Sequence, residues 1–176
     1  MGGNAETKKK LNKTLEFIIK LLNKNNINNW FIGYGTLLGI VRENSCIHND
    51  NDIDIIIKKD NYDNLKKILE DNKFKIEYGR KINDSRDILK TKPTDVYASV
   101  DFYMADVDEE GNFYDPWEDV IWSNCWDNNN KLLEREWKEL TLYIPNNYIE
   151  KLENRYGLNW KTPQKSRGPT PRKKKI

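Results

Sequence analysis

Asp50, Asp52 and Asp54 alternate along Asn49-Asp50-Asn51-Asp52-Ile53-Asp54-Ile55-Ile56-Ile57. In a strand, successive side chains take opposite faces, so Asp52 and Asp54 project from one side with Cα atoms roughly 6.5 Å apart. Neighbouring carboxylates repel, and one stays protonated unless a positive charge lies between them. A hard divalent cation meets that need, and Mg²⁺ takes one or two carboxylates together with phosphate oxygens. Asp101 offers a third carboxylate from a second strand. It shares a face with Tyr97, Ser99 and Tyr103, while Val96, Ala98, Val100, Phe102 and Met104 alternate on the other.

Two other readings compete for the aspartates. A calcium loop of the EF-hand type starts correctly with acids at its first, third and fifth positions. Ile55 then stands where that loop needs glycine, and Asn61 where it needs a bidentate glutamate. A solvated acidic loop conflicts with the apolar run from Ile53 to Ile57, which buries its surroundings. For Asp101 the competing role is that of an ion-pair partner for an arginine.

A glycine turn precedes the aspartates, reading Gly33-Tyr34-Gly35-Thr36-Leu37-Leu38-Gly39-Ile40-Val41-Arg42. Gly33 and Gly35 allow close approach of backbone to a ligand. Thr36 at a helix start places a hydroxyl beside free N–H groups, the makings of a phosphate cradle. Arg42 offers a planar fork to phosphate or, equally, one half of a surface ion pair. His48 is the single histidine and a weaker catalytic candidate. Trp117, Trp122, Trp126 and Trp137 serve either as aromatic core or as a stacking surface.

The elements that must position these groups follow from periodicity. Leu11, Leu15, Ile18, Ile19 and Leu22 mark a helix over residues 7–24. Trp30-Phe31-Ile32 reads as a buried strand, Thr36 to Arg42 as a short helix capped by Thr36, and Ile53 to Lys58 as a second strand. Asp60 caps a helix with Tyr62, Leu65, Ile68 and Leu69 inside. Phe74, Ile76 and Tyr78 alternate as a third strand, and Arg80 to Lys92 reads as loop. Asp95 to Ala105 is the strand carrying Asp101, and Glu109-Glu110-Gly111-Asn112 a hairpin turn. A last helix spans Asn146 to Tyr156 and stops at Gly157. Strands and helices mix without strict alternation, which predicts an α/β fold of the mixed α+β kind, one sheet flanked by helices.

The chain has 176 residues, enough for one domain. Of its 30 basic groups, eight follow Asn154 with no acid among them, leaving 22 against 28 acids upstream. The expected division is a domain over 1–168 and a solvated basic tail over 169–176. No apolar run reaches membrane-spanning length and no signal peptide is legible. Two cysteines, Cys46 and Cys125, are too few for a disulfide framework. A reducing, cytoplasmic setting is therefore expected. The basic tail lies outside any RNA- or DNA-binding module, so nucleic acid is not an expected partner.

Gly35-Thr36-Leu37-Leu38-Gly39-Ile40-Val41-Arg42, followed by Asp50-Asn51-Asp52-Ile53-Asp54, resembles the LicD/fukutin family. Val100-Asp101-Phe102 is similar to that family's third acidic strand. Ile144 to Leu152, Arg155-Tyr156-Gly157 and Trp160-Lys161-Thr162-Pro163 resemble its C-terminal signature, so the likeness covers residues 15–168. Asn49 departs from the tryptophan usual beside the acidic run.

The resemblance implies a nucleotidyltransferase-like fold with the site along one sheet edge. It also implies transfer of a phosphoalcohol, such as phosphocholine or ribitol phosphate, from a CDP-linked donor to a glycan or other hydroxyl acceptor. In that reading Asp52 and Asp54 hold Mg²⁺, or Mn²⁺ in its place, and Asp101 completes the site as ligand or base. Asp50 stands behind the ligands. Gly33, Gly35, Thr36 and Arg42 face the donor phosphates. General nucleotidyl transfer with release of pyrophosphate and an inactive nucleotide-binding domain are the alternatives.

Overall fold

The computed structural model describes residues 5–164 and 173–176. Helix α1 (Ala5–Lys24) buries Leu11, Leu15, Ile18, Ile19 and Leu22, the apolar stripe read from spacing. Strand β1 (Trp30–Ile32) leads at once into helix α2 (Tyr34–Glu43). Next come β2 (Asp52–Lys58), a single 3₁₀ turn, and α3 (Tyr62–Asp71), which buries Tyr62, Leu65, Ile68 and Leu69. Strands β3 (Ile88–Lys90) and β4 (Ser99–Val107) follow, then the short β5 (Phe113–Asp115) and β6 (Val120–Trp122). A hairpin of β7 (Leu133–Trp137) and β8 (Leu140–Ile144) precedes α4 (Tyr148–Tyr156), which Gly157 ends at φ 88°.

The main sheet is mixed, in the order β1-β2-β4-β5-β6, with β3 also pairing on β4. β2 and β4 run parallel at its centre, with Asp52 opposite Ser99 and Asp54 opposite Asp101. Both strands are buried on two faces, as central parallel strands are. The fold is thus the mixed α/β arrangement expected. The aspartates lie at the N-terminal ends of the two central strands and not on an edge strand, because β1 pairs with β2 only from Ile55 onward.

Three local expectations change. The strand predicted over Phe74, Ile76 and Tyr78 is reduced to one bridge, Ile76 to Thr91, and Tyr78 is exposed. The third strand is β3, inside the stretch read as loop. β4 begins at Ser99, four residues late, since the Thr94 hydroxyl accepts the N–H groups of Val96 and Tyr97 and bends the chain, leaving Val96 exposed.

At the C-terminus, the expected boundary at 168 lies outside the described residues. Lys173 to Ile176, expected in solvent, instead lie along β6. The Ile121 N–H donates to the Lys174 carbonyl (2.6 Å), the Ile176 N–H to the Ile121 carbonyl (2.8 Å) and the Ser123 N–H to the Ile176 carbonyl (2.7 Å). Ile176 is buried, and Lys174 pairs with Asp119 at 2.6 Å.

Candidate functional site

Asp54 is gripped from four directions. Its own N–H donates to the Thr36 hydroxyl at 2.9 Å, and its carbonyl accepts the Gly33 N–H at 3.0 Å. Its carboxylate takes the Gly35 N–H on Oδ2 (3.2 Å) and the Tyr103 hydroxyl on Oδ1 (3.2 Å). The glycine turn expected to cradle phosphate therefore holds the strand that carries the aspartates. Gly35 also leaves room for a carboxylate, since a Cβ there would collide with Asp50 Oδ2. Thr36 caps nothing. The helix begins earlier, at Tyr34 after Gly33, and its N-cap residue, a glycine, offers no side chain, so the Asp54 carboxylate meets a first-turn N–H instead.

Asp50, Asp52 and Asp54 each place a carboxylate oxygen within 4.8 Å of the others. Asp50 thus belongs to the cluster instead of standing behind it. Asp54 is buried, while Asp50 and Asp52 are half-buried, so the group opens toward solvent at its N-terminal end. Burial raises the Asp54 carboxyl well above the usual carboxylate range, and the charges of Asp52, Asp50 and Asp101 add to the rise.

Asp101 stands directly across from Asp54 and is buried. Burial and then the charge of Asp52 push its carboxyl up to about 6, opposed by Lys90. The Lys90 ammonium lies 3.0 Å from Asp101 Oδ1 and bonds Oδ2 at 3.2 Å. Oδ1 itself, though buried, accepts no aligned hydrogen bond. Three converging carboxylates, with a fourth across from Asp54, are a donor set suited to a hard divalent cation. The amino end of α2 abuts them, and its positive dipole end favours anions.

A third buried acid, Asp115, lies behind this corner. The Tyr34 hydroxyl donates to Asp115 at 2.5 Å, and the Tyr34 ring contacts those of Tyr103 and Trp122. The Arg155 guanidinium covers the same ring at 4.5 Å. Tyr34 holds φ at 41°, in the left-handed region that side chains seldom adopt. Burial pushes Asp115 up to about 6 despite the Tyr34 bond and the N–H groups of Trp117 and Glu118.

Other candidates sit elsewhere. Arg42 is in the last turn of α2, where it binds Glu43 (3.0 Å) and the Trp160 carbonyl (3.3 Å). His48 is exposed. Trp122 and Trp137 are core residues, and Cys46 and Cys125 are buried free thiols. Lys90 and Tyr103 are the neighbours of the buried aspartates that sequence reasoning missed. Tyr103 was legible as two residues beyond Asp101 on the same face; Lys90 left no signal.

Among the described residues no helix is long and apolar enough to cross a membrane. No curated protein matches the chain significantly in sequence. Among solved structures, the lincosamide antibiotic adenylyltransferase LnuA, crystallised with lincomycin, superposes with a TM-score of 0.51 at 16% identity, covering 86% of each chain. The antibiotic-resistance factor ANT(2'')-Ia gives a TM-score of 0.45 at 14% identity over 75% of this chain and 62% of its own. The LicD/FKTN/FKRP nucleotidyltransferase-domain profile matches residues 27–163. The carboxylates, the turn that grips them and the strands that align them all fall inside that match, and the chain belongs to this family of transferase domains.

Proposed function

We propose that the chain is a Mg²⁺-dependent phosphotransferase. It moves a phosphoalcohol from a CDP-linked donor to a hydroxyl of a glycan or small acceptor. The observation that carries this reading is the convergence of Asp50, Asp52 and Asp54 within 4.8 Å, with Asp101 aligned across from Asp54, inside a LicD-type domain.

Asp50, Asp52 and Asp54 would hold the divalent cation, which when bound supplies neutralising charge to the donor diphosphate. The Gly35 N–H and Tyr103 hydroxyl fix the Asp54 carboxylate, so its orientation is set before substrate arrives. Asp101 takes the proton of the acceptor hydroxyl. A new P–O bond forms to the acceptor oxygen, the bond to the CMP leaving group breaks, and the proton rests on Asp101. A carboxyl near 6 suits that task at neutral pH. The positive end of α2 lies beside the same corner and favours an anionic donor there.

A second reading, nucleotidyl transfer with release of pyrophosphate, is favoured by the fold of the adenylyltransferase LnuA. One experiment separates them. Melting curves are recorded with CDP-choline, CDP-ribitol, CTP and ATP, each with Mg²⁺ and with EDTA, and products are analysed by mass spectrometry. A ligand at a hundred times its dissociation constant stabilises by about 2.7 kcal/mol. The proposal expects stabilisation by CDP-alcohols with Mg²⁺ only, and release of CMP. Equal stabilisation in EDTA would exclude a metal-bridged diphosphate, and pyrophosphate release from CTP or ATP would establish the second reading.

A further inference from the structure

We propose that Lys90 is a donor-binding residue, its ammonium bridging Asp101 to a phosphate oxygen of the substrate at the point where the acceptor hydroxyl attacks. The inference rests on the phosphoryl- or nucleotidyl-transfer reading of this site and names the group that receives the anion.

β3 places Lys90 directly opposite Asp101 in antiparallel register. Its backbone is committed on both sides. The N–H donates to Asn83 Oδ1 at 3.1 Å, and the carbonyl accepts the Glu77 N–H at 2.9 Å. Asn83, itself buried, also donates to the Glu77 carbonyl, so the 77–83 segment folds over the lysine and fixes where its side chain starts.

That side chain is 24% exposed and turns toward Asp101 instead of extending into water. An ammonium carries three donors. Asp101 Oδ2 engages one by hydrogen bond and Oδ1 lies in charge contact, which leaves donor capacity on the half-open side of the group. The charge of Asp52 also favours the cation, so Lys90 lies within electrostatic reach of Asp52 as well as of Asp101. An acid that accepts a hydroxyl proton and a cation that receives phosphate are then adjacent, as in-line attack requires.

A purely structural Lys90, serving only to neutralise Asp101, makes a different prediction. Its removal would leave the cluster more negative, tighten divalent-cation binding and leave phosphate binding through that cation intact. The test is Lys90→Met beside Lys90→Arg in the full chain, with Mn²⁺ affinity and the Kd values of CDP, ATP and inorganic pyrophosphate measured at saturating Mn²⁺. We expect Lys90→Met to retain Mn²⁺ binding and to weaken phosphate ligands about tenfold or more, the loss of one charge-assisted hydrogen bond. Lys90→Arg should recover most of that loss and confirm that the charge, not the packing, is responsible. Wild-type Kd values in a folded Lys90→Met overturn the proposal, as does weakening that Lys90→Arg leaves unrepaired. A wild-type protein that binds none of the three probes with Mn²⁺ overturns the transferase reading together with this one.

Discussion

Tyr103 donates its hydroxyl to Asp54 across 3.2 Å, from the central strand β4 to the neighbouring strand β2. Burial and the charge of Asp54 keep that phenol protonated far above neutral pH, so it is a permanent donor to a carboxylate surrounded by like charges. Tyr103→Phe removes the donor and little else, since the ring still meets Tyr34 at 4.9 Å. A hydrogen bond to a charged group contributes about 1.5–3 kcal/mol, so turnover should fall about tenfold to a hundredfold. Steady-state rates beside a urea titration would separate this from unfolding. Unchanged turnover in a folded variant would remove Tyr103 from the site.

Asp52→Asn and Asp54→Asn should each lower turnover by about a hundredfold or more, because each removes charge aimed at the reacting phosphate and its counter-cation. In EDTA Asp52→Asn should melt no lower than the wild type, for its charge is one of several that repel. Asp54→Asn, in contrast, sets an amide N–H against the Gly35 N–H or the Tyr103 hydroxyl and should melt lower. Calorimetry with EDTA and rates with Mg²⁺ test the two halves independently.

The buried acids give the metal-free protein a distinctive pH dependence. Asp101 and Asp115 are raised to about 6 from an ordinary 3.8, and Asp54 is raised as well. Between those limits the folded chain binds more protons than the unfolded one, so folding weakens as pH rises through about 6 and strengthens as it falls toward 4. In EDTA the urea midpoint should therefore be higher at about pH 5 than at about pH 7.5. Cation binding needs ionised carboxylates, so Mg²⁺ should reduce or reverse that difference. An EDTA midpoint that rises with pH across this window would contradict the buried-acid assignment.

Much of the site was legible because its signals are local. The alternation of Asp52 and Asp54 along an isoleucine-rich strand states both the strand and the shared face. Gly35 and Thr36 stood out as a phosphate cradle, but their partner in the fold, Asp54, is nineteen and eighteen residues away, a pairing that only the fold defines. Lys90 was hidden for the same reason. β3 is three residues long with two apolar side chains, too short to announce itself, and it becomes a strand through β4. The β7–β8 hairpin was missed because its two-residue turn, Lys138-Glu139, takes φ of 49° and 62° without the Asn or Gly that usually marks such turns.

The C-terminal segment yields a prediction opposite to that of a solvated tail. Deleting Lys173 to Ile176 uncovers the pocket of Ile176, whose burial alone contributes about 2 kcal/mol. It also removes the Lys174–Asp119 pair. A domain of this size should lose about 2–4 °C of melting temperature per kcal/mol, so a drop of at least several degrees is expected by differential scanning fluorimetry. An unchanged melting temperature would show that the segment adds nothing to stability.

The same four residues bear on solubility. β6 is an outer strand of three residues, Val120-Ile121-Trp122, and it presents backbone donors and acceptors that the last residues of the chain occupy. An apolar edge with open hydrogen-bonding groups is a template for another chain. A protein trimmed of its final residues would therefore not only melt earlier. It would expose an adhesive margin, and self-association that grows with concentration would be the first sign of its loss.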